Sequence, residues 1–474
     1  MDTRNQHGLP KDKPARPGLR QSCYLLRSRL RTPESIKRLG KFRGSIAITI
    51  SRILTAAAMV GAVAVTAGAA KADAVSDFYR SKRITLIVGY SPGGGYDTYS
   101  RLIARHMAGH IPGQPRMIVK NVTGAGSLIA ATYIGVRAPK DGTVFGTFDR
   151  GLPLNALLKL IPVPFDPFKM TWLGSMSSSK DEAFMFVVRT DSPYKTIQDV
   201  MDKSLPPVII SATAPGSTAY DIPYLMAAIV GLRIKIIAGY PGSKQGALAL
   251  DRGEVQGRAQ GLSSIRSTQP HWIKDKLVRF LWQAGRRDRH PNYQNIPTSR
   301  ELVKNKDDLA LVNLQETPLF MARPYVGPEG IPADRAKALR KAFMATGNDP
   351  KFVKEGHRLK LDISPIDHIA LGKILQALKD TPPKVLARYK KIMDSRPPVP
   401  MIEHAGKVTK TKRGGRRVWI SYKGKEVKAK VSGSRTKVTI NGKKAKRKAI
   451  KVGMSCTFTY ASAGSTAKKI DCKG

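Results

Sequence analysis

Four loops carry the residue types that can hold an anion. Ser91-Pro92-Gly93-Gly94-Gly95-Tyr96-Asp97 joins a β-branched run to a helical stretch. Glycine lets backbone N–H groups approach a ligand closely. A helix start adds unpaired donors and the positive end of a dipole, which together cradle an anion. The plainer alternative is a strand-to-helix turn with Asp97 as a cap, and this loop alone does not decide between them. Thr123-Gly124-Ala125-Gly126-Ser127, Thr213-Ala214-Pro215-Gly216-Ser217-Thr218 and Tyr240-Pro241-Gly242-Ser243 repeat the chemistry. One such loop is weak evidence. Four, split between two halves of the chain, imply an anion held between two lobes, at the carboxyl ends of sheet strands.

Enzyme readings of the first loop meet chemical obstacles. A dinucleotide fingerprint needs a third glycine where Thr98 stands, and a phosphate-binding P-loop needs Gly-Lys-Ser/Thr after the glycines. Gly89-Tyr90-Ser91-Pro92-Gly93 does match the nucleophile elbow of α/β hydrolases. The residue after that nucleophile must donate its N–H to the oxyanion, and Pro92 has none. An exported serine hydrolase using Ser91 stays as an alternative, weakened at that position. His106 and His110 stand four apart, yet no carboxylate or third His lies nearby in sequence. No metal and no cofactor is expected.

Short β-branched runs must position these loops, and they alternate with helical stretches. Ile84–Val88, Met117–Lys120 and Thr143–Phe148 read as strands in one round. Phe184–Arg189, Val208–Ala212, Ile234–Ala238, Val255–Ala259 and Val278–Gln283 read as strands in a second. Tyr96–Gly109, Ser127–Arg137, Thr196–Lys203, Ser217–Gly231 and Ser243–Arg252 read as helices between them. Alternation of this kind predicts an α/β fold with mostly parallel sheets, in two lobes. Ala333–Thr346 and Ile366–Asp380 are amphipathic and are expected to pack outside the sheets.

The chain has 474 residues, 41% of them hydrophobic, enough for two to three domains with real cores. Lys plus Arg outnumber Asp plus Glu by 82 to 34. The excess is uneven: residues 407–474 hold 21 basic residues against 2 acidic. Elsewhere the charge reads as solvated Lys and Arg spread over the surface. Ile53–Ala70 is apolar apart from two Thr, follows basic residues and runs into A-x-A patterns at Ala70–Ala72 and Ala72–Ala74. This predicts an export signal cleaved near Ala72 or Ala74, and a periplasmic mature protein. Cys456 and Cys472 then remain, and an oxidising compartment makes a disulfide between them the expected state.

The ordered set of motifs resembles the extracytoplasmic solute receptors of the tripartite tricarboxylate transporter family. It comprises Arg83–Val88, the Pro-Gly-Gly-Gly-x-Asp loop, Asn121–Ser127, Pro139-Lys140-Asp141-Gly142-Thr143, Gly253-Glu254-Val255 and Pro328-Glu329-Gly330-Ile331-Pro332. The resemblance covers roughly residues 78–395. It implies a two-lobed, hinge-closing receptor of the periplasmic-binding-protein kind, no catalysis, a small carboxylate in the cleft and delivery to a membrane permease. Carried over by position, it implies ligand contacts at Gly94, Gly95, Tyr96, Asp97, Ser127 and Asp149 on one lobe. On the other it implies Thr213, Gly216, Ser217, Tyr240 and Gln260. Val122-Thr123 and Gln256 depart from the family pattern.

The expected division is residues 1–74 as export region, 75–181 with 312–405 as the first lobe, 182–311 as the second and 406–474 as a basic β-rich tail. Asn441-Gly442 between strand-like runs is a hairpin signal, and the tail loosely resembles small OB-like or SH3-like domains. Its charge suits an anionic envelope surface, whereas nucleic acid is not an expected partner after export. A polyanion-binding envelope protein is therefore a second alternative.

Overall fold

Two mixed sheets each collect strands from separated stretches of the chain. The computed structural model describes residues 74–398, 401–434, 436–460 and 466–474. The predicted export signal lies outside these residues. In the first sheet the order is β11-β4-β10-β3-β1-β2. These strands are β1 (Arg83–Val88), β2 (Arg116–Asn121), β3 (Val144–Thr147), β4 (Thr171–Ser175), β10 (Pro324–Gly327) and β11 (Ile366–Asp367). In the second the order is β7-β6-β8-β5-β9. Its strands are β5 (Phe184–Arg189), β6 (Val208–Ser211), β7 (Ile234–Ile237), β8 (Gly257–Gly261) and β9 (Val278–Ala284). The chain thus crosses between lobes twice, after β4 and after β9.

Only part of the pairing is parallel. β1 runs parallel to β2 and β3, and β6 to β7 and β8. β10 is antiparallel to β3 and β4, and β5 to β8 and β9. The expectation of mostly parallel sheets is corrected for a physical reason. A parallel neighbour needs a crossover within its own sheet, and β5 and β10 arrive from the other lobe.

Burial follows residue type. Ile84, Leu86, Ile87 and Val88 of β1 are all buried, as a strand covered on both faces requires. Helix α1 (Gly95–His106) buries Tyr99, Leu102 and Ile103, one face of a 3.6-residue period. Helices α2 (Thr218–Val230) and α3 (Ser243–Asp251) start beyond β6 and β7. Thr196–Lys203 forms turns rather than a helix. There the Asp199 carboxylate accepts bonds from the backbone N–H groups of Lys195 and Thr196, at 2.7 and 2.8 Å. Helix follows only from Leu128, since Ala125, Gly126 and Ser127 take positive φ, and it passes from α turns over Leu128–Thr132 to π turns over Tyr133–Arg137.

Two expected boundaries move. The helix Pro383–Asp394 does not pack with the first sheet alone. Tyr389 and Met393 join a core with Leu225 and Leu311 of the second lobe's helices. The guanidinium of Arg396 then meets Asp221 at 2.6 Å. The tail sheet also begins before residue 406, since β12 spans Ile402–Lys412. Its order is β14-β13-β12-β17-β18-β15-β16, with β13 (Arg417–Tyr422), β14 (Lys425–Lys430), β15 (Lys437–Ile440), β16 (Lys443–Lys444), β17 (Ser455–Tyr460) and β18 (Lys469–Lys473). The first half of β12 pairs with β17 and the second with β13, across a bulge between Val408 and Lys410. Gly406 sits at that corner, where a Cβ would collide with the backbone of Ser421.

Val418, Ile420, Phe458, Tyr460 and Ile470 fill the core of this β-domain. Cys456 and Cys472 face one another on β17 and β18 and form a disulfide. Closing so short a loop stabilises a domain by about 3 kcal/mol. Cys456→Ser in the full chain should therefore lower the denaturant midpoint of the tail, read by limited proteolysis within 402–474 across a urea series. An unchanged midpoint would show that the tail core holds without the bond.

Candidate functional site

The loops at the strand ends meet face to face. Asp149 follows β3 in the first lobe. Its carboxylate accepts bonds from the Thr218 N–H at 3.1 Å and the Thr218 hydroxyl at 2.7 Å, at the start of α2 in the second lobe. Tyr90 donates to the same carboxylate at 2.7 Å. The Ser91 hydroxyl donates to Gln245 Oε1 of α3 at 2.5 Å. Its partner is an amide, which takes no proton from it, so Ser91 acts here as a link between lobes. Gly94 lies against Ser243, where a Cβ would overlap the hydroxyl.

Between these contacts lies a chamber of about 60 Å3, lined by residues that include Gly95, Tyr96, Asp149, Arg150, Phe184, Thr213, Arg258, Gln260 and Arg323. Three of these are arginines at most 3% exposed. Arg323 has a partner. Its Nη2 lies 2.9 Å from Glu182 Oε2 and donates to the hydroxyls of Ser263 and Ser264 at 2.9 and 3.0 Å. Burial raises the Glu182 carboxyl, but the Arg323 charge and the Ser263 bonds outweigh it and hold the pKa below the ordinary value. Glu182 and Arg323 stand on the two crossings between lobes, so one buried pair ties the hinge together.

Arg150 and Arg258 have no carboxylate within ion-pairing distance among the described residues. The Arg150 guanidinium lies 5.8 Å from the ring centres of both Tyr96 and Phe184, a favourable but incomplete substitute for an anion. Arg258 donates one bond, from Nη1 to the Ser243 carbonyl at 2.6 Å. Burial pushes its pKa down to about 10, so it keeps its charge at neutral pH. Arg150 Nε, Arg258 Nε and Gln260 Oε1 are buried without hydrogen-bond partners among the described residues. A buried charge left unpaired is costly, so the geometry calls for an anion from outside the chain.

A second chamber, of about 360 Å3, shares Tyr90 and Thr213 with the first. Gly124–Ser127 and Tyr240 line it from the lobes, and Met401, Lys430 and Thr466–Lys468 line it from the β-domain.

The sequence-predicted residues divide accordingly. Gly95, Tyr96, Asp149, Thr213 and Gln260 line the first chamber; Ser127, Thr213 and Tyr240 line the second. Gly94, Asp97, Gly216 and Ser217 line neither. Asp97 is spent on its own loop, accepting bonds from the Gly93 N–H at 2.9 Å, Arg101 at 2.9 Å and Asn121 at 2.8 Å. Ser217 donates to the Ala214 carbonyl at 2.6 Å, and the Gly216 N–H donates to Asp221 at 3.0 Å. In this structure Asp97, Gly216 and Ser217 make bonds that shape their own loops. Sequence reasoning missed Arg150, Arg258 and Arg323. One signal was available, a charged residue inside the buried strand Gly257-Arg258-Ala259-Gln260-Gly261.

The profile described as the tripartite tricarboxylate transporter family receptor matches residues 100–393. The chain belongs to that family. It is similar to a UPF0065 protein of the gbd 5′ region in Cupriavidus necator, 26% identical over 325 residues, 65% of this chain and 88% of the relative. BugT of Bordetella pertussis is 26% identical over 313 residues, 62% of this chain and 88% of BugT. Among solved structures, the periplasmic binding protein BugD superposes with a TM-score of 0.53 at 18% identity, covering 66% of this chain and 98% of BugD. An R. palustris protein solved with adipate gives 0.52 at 19% identity, covering 66% and 97%. MatC from Rhodopseudomonas palustris, with bound malate, gives 0.51 at 18%, covering 66% and 99%. These likenesses establish the two-lobed receptor fold. The receptor's family match ends before β12, so the β-domain lies beyond it. No helix among the described residues is long and apolar enough to cross a membrane.

Two predictions follow from the buried charges of the receptor. Glu182→Gln should cost about 3–5 kcal/mol, because it strands Arg323. Arg150→Met in the ligand-free protein should cost little or raise stability, because it removes an unpaired charge. Chemical denaturation reads both, and equal losses would mean that Arg150 has a structural role. The second concerns Asp362, whose carboxylate meets Arg266 across the lobes. Burial and the nearby Glu182 charge push Asp362 up to about 7. The folded state then keeps a proton that the unfolded state gives up near pH 4. Stability should therefore fall as pH rises from 4 to 7 and level off above, and Asp362→Asn should flatten that slope in pH-dependent melting.

Proposed function

We propose that this receptor is exported and binds a small carboxylate between its lobes for delivery to a membrane permease. The observation that carries the reading is the charge of the first chamber. Arg150, Arg258 and Arg323 face Asp149 and Glu182, which leaves one positive charge in excess inside a buried site. One carboxylate neutralises it. The planar guanidinium fork matches a carboxylate geometrically, and charge-assisted bonds are the strong ones. The volume supports a head group rather than a whole ligand, since about 60 Å3 admits only a few water-sized spheres. Solved proteins of the same fold hold adipate and malate, both small dicarboxylates. Family membership supports a receptor without catalysis, working with membrane transport components.

The test is calorimetric titration of the mature chain, stripped of ligand by unfolding and refolding, with mono- and dicarboxylates of increasing length. At least one should bind. Arg150→Met and Arg258→Met should each weaken that ligand about 100-fold, the equivalent of roughly 3 kcal/mol of lost charge-assisted bonding. Binding at wild-type strength in both variants, or no binding across the series, overturns the reading.

A further inference from the structure

The β-domain sits across the seam between the lobes. Beneath its β13–β14 hairpin runs a groove whose walls include Asn121 and Thr123 of the first lobe, Gln245 of the second, and Glu426, Lys428 and Lys430 of the hairpin, with the Glu426 carboxylate accepting from the Thr409 hydroxyl at 2.7 Å. The Lys430 ammonium reaches out of the domain and donates to the Thr123 hydroxyl at 3.0 Å. It also lines the second chamber, which shares the walls Tyr90 and Thr213 with the chamber of the arginines. Among the described residues Lys430 has no carboxylate partner within 4 Å. Burial, then Lys428 and Arg417, lowers its pKa, as expected for a cation held away from water and from anions.

Size and charge point the same way. The first chamber takes a head group only. The second, at about 360 Å3, falls within the range of small-molecule sites. For a ligand anchored at Arg150 and Arg258 and longer than the first chamber, the adjoining space across Tyr90 and Thr213 is the second chamber. There the cation that is half-buried and unpaired is Lys430, since Lys468 on the same wall is exposed.

We infer that the β-domain supplies part of the ligand site: Lys430 binds the distal carboxylate of a dicarboxylate whose other end lies between Arg150 and Arg258. The inference rests on the carboxylate-receptor reading and narrows it to two-ended anions. The domain is then a specificity element, which selects dicarboxylates over monocarboxylates of the same length. A monocarboxylate leaves Lys430 facing an apolar chain end, and a dicarboxylate gives it a charge-assisted partner.

The experiment uses the full mature chain and pairs each straight-chain dicarboxylate from four to eight carbons with its matched monocarboxylate, for example adipate with hexanoate. Wild type should prefer the best-bound dicarboxylate over its partner by tenfold or more. Lys430→Met should lose at least that factor for the dicarboxylate, leave the monocarboxylate unchanged and so abolish the preference. Lys428→Met removes a neighbouring charge outside the second chamber and should leave the preference intact. Retention of the preference in Lys430→Met, or an equal fall for both ligands, overturns the inference. So does an equal effect of Lys428→Met, which would mean a general field rather than a contact. The two readings fail separately. If the arginine variants lose binding but Lys430→Met keeps its preference, only the role of the β-domain falls. If no member of the series binds, or the arginine variants bind like wild type, the carboxylate reading falls and takes this one with it.

Discussion

A guanidinium removed from water without a carboxylate is the constraint on which this structure turns. Arg150 and Arg258 are buried as deeply as Arg323, yet only Arg323 has an acidic partner among the described residues. Proteins seldom keep such a charge for stability, because an apolar replacement of similar size serves a core at least as well. The site therefore presents two buried guanidinium groups that an anion can satisfy. The aromatic faces of Tyr96 and Phe184 hold Arg150 in place without neutralising it, and one carbonyl orients Arg258. Both side chains are positioned before any ligand arrives, which reduces the ordering that binding must impose.

The same logic explains how the lobes come together. Asp149 reaches over from the first lobe to the N-terminus of α2, an anion-binding position by its backbone donors and dipole. An intramolecular carboxylate thus fills the cradle that the loop sequence suggests for a ligand. Ser91–Gln245 adds a neutral link, and Glu182–Arg323 joins the two crossings. Closure consequently has contacts of its own, and the ligand has only to favour the closed arrangement by its differential affinity for the two states. Because the arginines come from different lobes, a carboxylate between them makes its full set of bonds only when the lobes meet.

Much of this was legible in the sequence, and the part that was not has a physical cause. Glycine and β-branched runs report backbone geometry, so the four loops and the strands that present them read correctly. Thr213 and Gln260, expected from that placement to face the cleft, line the first chamber. Residue type does not report burial, and a buried Arg looks like a solvated one. The reading of the charge as surface Lys and Arg holds for Arg101 and Arg105, whose side chains are about half exposed, and fails for Arg150, Arg258 and Arg323. The commitment of Asp97 to Gly93, Arg101 and Asn121 is likewise hidden, since a carboxylate in a glycine loop suits a cap as well as a ligand contact. β12 was missed because only Val408 of its eleven residues is buried; its alternation is too polar to announce a strand.

The β-domain is attached in a way that couples it to closure. The chain enters it from the helix Pro383–Asp394, which packs on second-lobe helices and is followed by the buried Arg396–Asp221 pair. Its contact on the other side is Lys430 with Thr123, next to the first lobe's strand β2. The domain therefore spans the seam, with the Arg396–Asp221 pair at its entry on one side and the Lys430–Thr123 bond on the other. A ligand that reaches Lys430 adds, across its own length, a connection between the β-domain and the arginines of both lobes. The strongly basic surface around this entrance also raises the local concentration of anions, an effect that added salt screens within about 10 Å. Long-range charge draws anions in without distinguishing them; in the proposed reading, selection rests on the few cations that burial holds at fixed positions.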